Sequence, residues 1–143
     1  MSMNVDDCIK FANQNPSSYI ATADGDQPCV RGMLMWYADK TGFYYNTGAT
    51  KDLYRQLKVN PKVELCFFDA KSKSMDQMRV SGQVDFISDM TVREKLVEAR
   101  PFLKQMGFGA DSPKLIVFRV VKCTAHFWTW ETNLQPKEYV SFG

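Results

Sequence analysis

Apolar and polar residues alternate over most of the chain, and a period of two predicts β-strands with one buried face. Short clusters of Gly, Asp, Asn and Pro separate the runs, as is typical of tight turns between antiparallel strands. The strand-like runs are residues 19–23, 28–37, 43–47, 63–68, 78–87, 115–121 and 123–130. The last two runs are separated by a single residue, and the count is about six strands in all.

Three other segments repeat apolar residues at helical spacing. The first follows Asn4, a predicted N-cap, and ends before Pro16. The second follows Thr50, which is also a predicted N-cap, and the third follows Asp89. Gly82 interrupts a strand-like run and predicts a bulge or a close backbone approach. Strands joined by tight turns, with three helices at the edges, predict a mainly β fold with flanking helices, and a small antiparallel barrel in particular.

Composition and charge exclude several classes of protein. The chain has 143 residues, of which 45% are hydrophobic, so we expect one domain spanning residues 1–143. Eighteen Lys and Arg against sixteen Asp and Glu leave a formal charge of +2, which gives no strong field to attract nucleic acid or an anionic membrane. No apolar run approaches the roughly 18 residues that a membrane-spanning helix needs, and the first residues resemble no leader. We therefore expect a cytoplasmic protein with neither nucleic-acid nor membrane partners.

Candidate catalytic and metal-binding residues are few. The four cysteines form no Cys-x-x-Cys pair and the chain has one histidine, so we expect no metal site and interpret the cysteines as small buried hydrophobes. His126 has three open interpretations: a general base, a haem ligand or a packed core residue. Trp128 and Trp130 either fill the core or cover a planar ligand. No catalytic residue can be singled out, so in an enzyme a cofactor would carry the chemistry.

The segment 30–51 carries the clearest local signal. Two runs rich in apolar and aromatic residues flank a turn, which predicts a hairpin that leads directly into a helix. Folding about Lys40 would place Arg31 opposite residues 47–49.

This convergence predicts an anion site at the helix start. Arg31, the Thr47 hydroxyl, Lys51 and unpaired backbone N–H groups would meet there, and a helix N-terminus favours a phosphate. In the alternative interpretation, Asp52 neutralises Lys51 and Arg31 only extends from an edge strand into solvent.

Four motifs in this order resemble the pyridoxamine 5'-phosphate oxidase-like FMN-binding split-barrel family over nearly the whole chain. They are Tyr19-Ile20-Ala21-Thr22, Pro28-x-x-Arg31, Phe43-Tyr44-Tyr45-Asn46-Thr47-Gly48-x-x-Lys51 and Asn60-Pro61-Lys62-Val63. The resemblance implies a six-stranded split barrel that binds FMN as a homodimer. A surplus of large apolar residues, among them Met35, Tyr44 and Phe67, agrees with such an interface.

The resemblance also implies the roles of particular residues. One strand would line the flavin, a second group would hold the phosphate and ribityl chain, and two residues would reach the flavin from the other subunit. These groups are Arg31, Gly32, Met33, Leu34, Met35 and Trp36; Asn46, Thr47, Thr50 and Lys51; and Gln77 and Trp128. Thr50 stands where the authentic oxidases have arginine. The tail from Thr129 to Leu134 lacks their Arg-Leu-His-x-Arg segment, so we do not expect a true pyridoxamine phosphate oxidase.

The leading interpretation is an FMN-dependent oxidoreductase that passes electrons or hydride between a reduced donor and a small organic acceptor. The sequence does not distinguish NADH, NADPH or another flavin as the donor. The alternative is a non-catalytic flavin- or haem-binding module for storage or sensing.

Overall fold

The structure is a computed structural model that describes residues 3–143. Within these residues the chain forms eight strands, all in one sheet, and four helices. The elements are α1 Val5–Gln14, β1 Ser17–Asp24, β2 Gln27–Leu34, β3 Tyr37–Asp39, β4 Gly42–Gly48, α2 Asp52–Val59, β5 Lys62–Phe68, β6 Gln77–Phe86, α3 Met90–Ala99, α4 Phe102–Gln105, β7 Leu115–Trp128 and β8 Val140–Phe142.

The sheet must curl, because its two edges are joined by two residues. The strand order is β2-β1-β5-β6-β7-β4-β3, with β8 on β7. In a flat sheet, six interstrand spacings of about 4.8 Å would set β2 about 29 Å from β3. Met35 and Trp36 alone connect these strands, and so short a link spans only about 11 Å. All strand pairs are antiparallel, which confirms the predicted mainly β class with flanking helices.

The predicted count of six strands was wrong. The run 28–37 divides at the buried corner residue Met35 into β2 and β3. The runs 115–121 and 123–130 form the single strand β7, which passes Lys122 in a left-handed conformation with φ of 54°. The short strand β8 was missed, because three residues are too few for a recognisable alternation.

The hairpin predicted for residues 30–51 was wrong in its register. β4 pairs with β3, with Tyr37 opposite Tyr44, whereas β2 pairs only with β1, with Arg31 opposite Ile20. Arg31 is therefore not a strand neighbour of Thr47. The chain changes direction at the corner after β2, and four strands lie between β2 and β4 in the order of the sheet.

Other local predictions were confirmed. Asn4 forms a capping box with Asp7 at the start of α1, and Asp89 caps α3. The register of β6 and β7 shifts at Gly82, where a Cβ atom would lie 2.8 Å from the Val121 carbonyl oxygen and 2.6 Å from Val120 Cγ1. A glycine is therefore needed at position 82, because the backbones of β6 and β7 approach closely there.

A buried polar contact crosses the barrel interior. The Tyr45 hydroxyl on β4 lies 2.7 Å from Ser18 Oγ on β1, and Ser18 Oγ donates to the Met33 carbonyl at 3.1 Å. Burial raises the pKa of Tyr45. The contact ties three strands from both halves of the sheet, close to the β2–β3 corner. None of the helices within residues 3–143 is both long and apolar enough to cross a membrane.

Candidate functional site

A basic cleft of about 560 Å³ lies between β2, the end of β4 and the start of α2. Its volume is typical of small-molecule sites. The curled sheet brings the two strands together here although their backbones do not pair. The lining residues are Arg31, Gly32, Met33, Thr47, Thr50, Lys51, Asp52 and Leu53. Six of these were predicted from the sequence.

The start of α2 leaves backbone donors without side-chain partners. The Lys51 N–H group donates to the Gly48 carbonyl at 3.1 Å, which forms the tight turn after β4. Lys51, and not Thr50 as predicted, is the N-cap, and the Lys51 side chain makes no capping hydrogen bond to the first turn. The N–H groups of this turn and the positive end of the helix dipole therefore remain for an anion.

Lys51 carries an uncompensated charge. It forms no ion pair with any residue of the described chain 3–143, and its neighbour Asp52 instead lies 3.5 Å from Arg55. Arg55 also binds Asp24 at 3.1 Å and holds the pKa of that carboxyl below its usual range. The alternative in which Asp52 neutralises Lys51 was therefore wrong.

Arg31 is fixed and does not extend freely into solvent. Its Nη1 donates to Thr22 Oγ1 at 2.7 Å and to the Ile20 carbonyl at 3.3 Å, and its Nη2 donates to Gln56 Oε1 at 2.8 Å. Thr22 and Gln56 were not predicted. Gln56 could have been noticed in the sequence, because it is a polar residue beside Leu57 on the apolar face of α2. In the structure its side chain is buried, with 5% exposed.

The other strand residues predicted to line a flavin face different directions. Gly32 and Leu34 lie on the outer face of β2, where Leu34 is 56% exposed. Met35 is buried in the barrel core, and Trp36 packs edge-on against Tyr37. Met35 and Trp36 do not line the cleft.

Asn46 is held by a second arginine that sequence reasoning missed. Arg100, at the end of α3, donates from Nη1 to Asn46 Oδ1 at 2.7 Å and from Nη2 to the Leu34 carbonyl at 3.1 Å. Burial lowers the pKa of Arg100, and no carboxylate among residues 3–143 pairs with it. No local pattern links these residues, because they are 54 positions apart.

Gln77 and Trp128 form a separate group. They are opposite each other on β6 and β7, and neither lines the cleft. Trp128 Nε1 donates to Asn133 Oδ1 at 2.8 Å, and Gln77 Oε1 lies 3.8 Å from Cys66 Sγ. Within one chain, therefore, Gln77 and Trp128 lie apart from the predicted residues that line the cleft.

His126 lies on the outer face of the sheet, away from the cleft. Its ring packs against Tyr139, and its buried Nε2 has no hydrogen-bond partner within the described residues. Burial lowers the pKa of His126, and the charges of Arg79 and Lys137 act in the same direction. His126 is therefore packed against a ring on the outer face of the sheet and is not in the core, so the packed-core interpretation was wrong in its location.

The cysteines are free thiols, of which Cys8 and Cys123 are buried and Cys29 and Cys66 are half-buried. No cluster of three or more potential metal ligands occurs in residues 3–143.

Comparison with known proteins establishes the family. The sequence profile described as pyridoxamine 5'-phosphate oxidase matches residues 5–129, and the chain belongs to this family. A relative from Pelagibacter ubique, named pyridoxine/pyridoxamine 5'-phosphate oxidase, is 26% identical over 111 residues, which are 76% of this chain and 52% of the relative. The chain thus spans about half the length of that relative.

Solved structures agree with the fold. A NimC/NimA family protein from Clostridium acetobutylicum superposes with a TM-score of 0.79 at 26% identity, over 97% of this chain and 92% of that chain. A pyridoxamine 5'-phosphate oxidase-related, FMN-binding protein from Nostoc punctiforme gives a TM-score of 0.73 at 13% identity, over 100% of both chains. The second likeness concerns the fold alone.

Proposed function

We propose that this protein binds FMN non-covalently and passes electrons or hydride between a reduced donor and a small organic acceptor. The observation that carries the proposal is the pair of cations, Arg31 and Lys51, which line one cleft at a helix start and form no ion pair with any carboxylate among residues 3–143. Two uncompensated cations beside free backbone N–H groups match the charge of a phosphate monoester. Membership of the family supports the same cofactor.

The cleft residues fit FMN in their chemistry. Arg31 and Lys51 would bind the phosphate together with the N–H groups of α2, and the Thr47 and Thr50 hydroxyls would supply further hydrogen bonds. The outer face of β2 would meet the flavin ring at Gly32, where no side chain intervenes. Bound FMN would supply the redox chemistry, which the side chains of the cleft cannot.

A homodimer is part of the proposal. Tyr19, Val30 and Leu34 lie on the outer face of β1 and β2 and are 50%, 68% and 56% exposed. An exposed apolar patch of this kind favours contact with a second copy. The surplus argument from Met35 and Phe67 was wrong, because both are buried within the chain. In the proposed dimer, Gln77 and Trp128 of one subunit approach the FMN held by the other.

The substrate is proposed to differ from pyridoxamine 5'-phosphate, because residues 129–134, directly after Trp128, do not match the Arg-Leu-His-x-Arg segment that the resembling oxidases use. Acceptors that stack directly on the flavin, such as quinones or nitroaromatics, need fewer dedicated contacts. Hydrogen peroxide release with pyridoxamine 5'-phosphate, measured beside a quinone reductase assay, tests this point. Rapid peroxide release would contradict it.

A specific observation favours the second candidate, a non-catalytic flavin- or haem-binding module. Asp52 is the one acid among the residues lining the cleft, and it forms an ion pair with Arg55, so the lining offers few groups for acid–base catalysis. Anaerobic mixing of the FMN-loaded protein with NADH or NADPH, followed by acceptors, separates the candidates. Turnover supports the oxidoreductase, and tight FMN without turnover supports the flavin-binding module. A haem spectrum in place of flavin supports the haem-binding form of the module and contradicts FMN binding.

A further inference from the structure

The way in which Arg31 is held restricts how it can bind a ligand. A guanidinium has five N–H donors. Nη1 uses both of its hydrogens, on the Ile20 carbonyl and on Thr22 Oγ1, and Nη2 uses one, on Gln56 Oε1. The free donors are therefore Nε–H and one hydrogen of Nη2.

The two free donors belong to the same edge of the guanidinium. Thr22 Oγ1 donates to Gln56 Oε1 at 2.6 Å, so these two oxygens sit side by side. The two oxygens accept hydrogen bonds from Nη1 and Nη2 of Arg31, at the end of the guanidinium that points away from the side-chain stem. The remaining edge, formed by Nε–H and Nη2–H, has the spacing that binds two oxygens of one phosphate.

Both side chains that hold Arg31 are neutral. The Gln56 oxygen accepts from Thr22 and from Arg31, which uses both of its lone pairs, and the Thr22 hydroxyl donates once and accepts once. The pair is buried, with Gln56 5% and Thr22 6% exposed. The arrangement fixes the guanidinium and leaves its positive charge uncompensated, whereas a glutamate at position 56 would neutralise that charge.

We propose that Gln56 and Thr22 are positioning residues that present one edge of Arg31 to the phosphate of the ligand in the cleft. The inference rests on the proposed function and adds the residues that give the site its preference for a phosphorylated flavin. Neither residue touches the ligand. Their effect is exerted through the orientation and the charge of Arg31.

The test compares the affinities of FMN and riboflavin for the flavin-free protein. Gln56→Met keeps the length of the side chain and removes the acceptor, so FMN should bind about ten-fold more weakly while riboflavin binds as before. Gln56→Glu should keep Arg31 fixed but neutralise it, with the same loss of preference for FMN. Thr22→Val should also lose preference, and Thr22→Ser, which keeps the hydroxyl, should retain it.

The outcomes are distinct. A merely structural role would weaken FMN and riboflavin binding equally, together with the free energy of unfolding, and that result would overturn the inference. Unchanged preference in Gln56→Met and Thr22→Val would also overturn it. If Gln56→Met does not fold, the comparison of Thr22→Val with Thr22→Ser decides alone. Wild-type protein that binds neither flavin would remove the proposed function itself, before any variant is measured.

Discussion

Lys51→Met removes one charge from the cleft and keeps most of the apolar stem. Because no carboxylate in the described part of the chain forms an ion pair with the Lys51 ammonium group, its contact with a bound phosphate should contribute in full to the binding free energy. Charge-assisted hydrogen bonds contribute about 1.5–3 kcal/mol, which corresponds to about 10- to 150-fold in affinity. Lys51 is exposed to solvent, so we expect the low end, about ten-fold weaker FMN binding.

The same substitution should have the opposite effect on the protein without ligand. A lysine at a helix N-terminus opposes the helix dipole, so its removal should raise the free energy of unfolding by a few tenths of a kcal/mol, roughly. FMN should then stabilise the variant less than the wild type, because stabilisation follows affinity.

Flavin fluorescence titrations at constant ionic strength measure the affinities, and urea unfolding with and without FMN measures the stabilities. Lys58→Met is the matched control, because Lys58 lies on the same helix with its ammonium over the Tyr54 ring and does not line the cleft. An equal loss for FMN and riboflavin, or an unchanged FMN affinity, would refute the phosphate assignment.

Three further predictions concern other parts of the molecule. Gly32→Ala should leave the monomer as stable as before, since its Cβ would meet Tyr19 at 3.8 Å in ordinary contact, but should weaken FMN retention; normal retention would contradict a flavin lying against β2. Tyr45→Phe removes the buried contact to Ser18 and should cost about 1 kcal/mol in urea unfolding, whereas the control Tyr19→Phe, at an exposed position, should change little; equal effects would show that the contact adds nothing. The pKa of His126 is lowered in the folded protein, so near the ordinary histidine pKa of about 6.5 the unfolded chain binds more protons than the folded one. The free energy of unfolding therefore falls as the pH drops through that value. His126→Gln should therefore lose less unfolding free energy than the wild type between about pH 7.5 and pH 5.5, and equal losses would exclude a contribution from His126.

Local features were largely predictable. The helix caps Asn4 and Asp89 and the bulge at Gly82 each follow from the chemistry of one residue and its immediate neighbours. The N-cap of α2 was misplaced by one residue, from Lys51 to Thr50, because the Gly48 turn decides where the helix begins.

Long-range features were not predictable from pattern alone. The run from Met33 to Tyr37 is continuously apolar, so nothing in it marks the corner at which β2 and β3 separate. The contact of Arg31 with Gln56 joins positions 25 residues apart and depends on which face of α2 packs on β1. The convergence of Arg31 and Lys51 was nevertheless anticipated, although a curled sheet, and not one hairpin, produces it.

Retention of flavin through gel filtration tests the central claim most directly. Flavin-free protein is mixed with excess FMN or excess riboflavin, and the visible absorption of the protein peak is recorded. We expect FMN to elute with the protein near one per chain and riboflavin to be lost. Equal retention of both flavins, or loss of both, would contradict a cleft built around the phosphate.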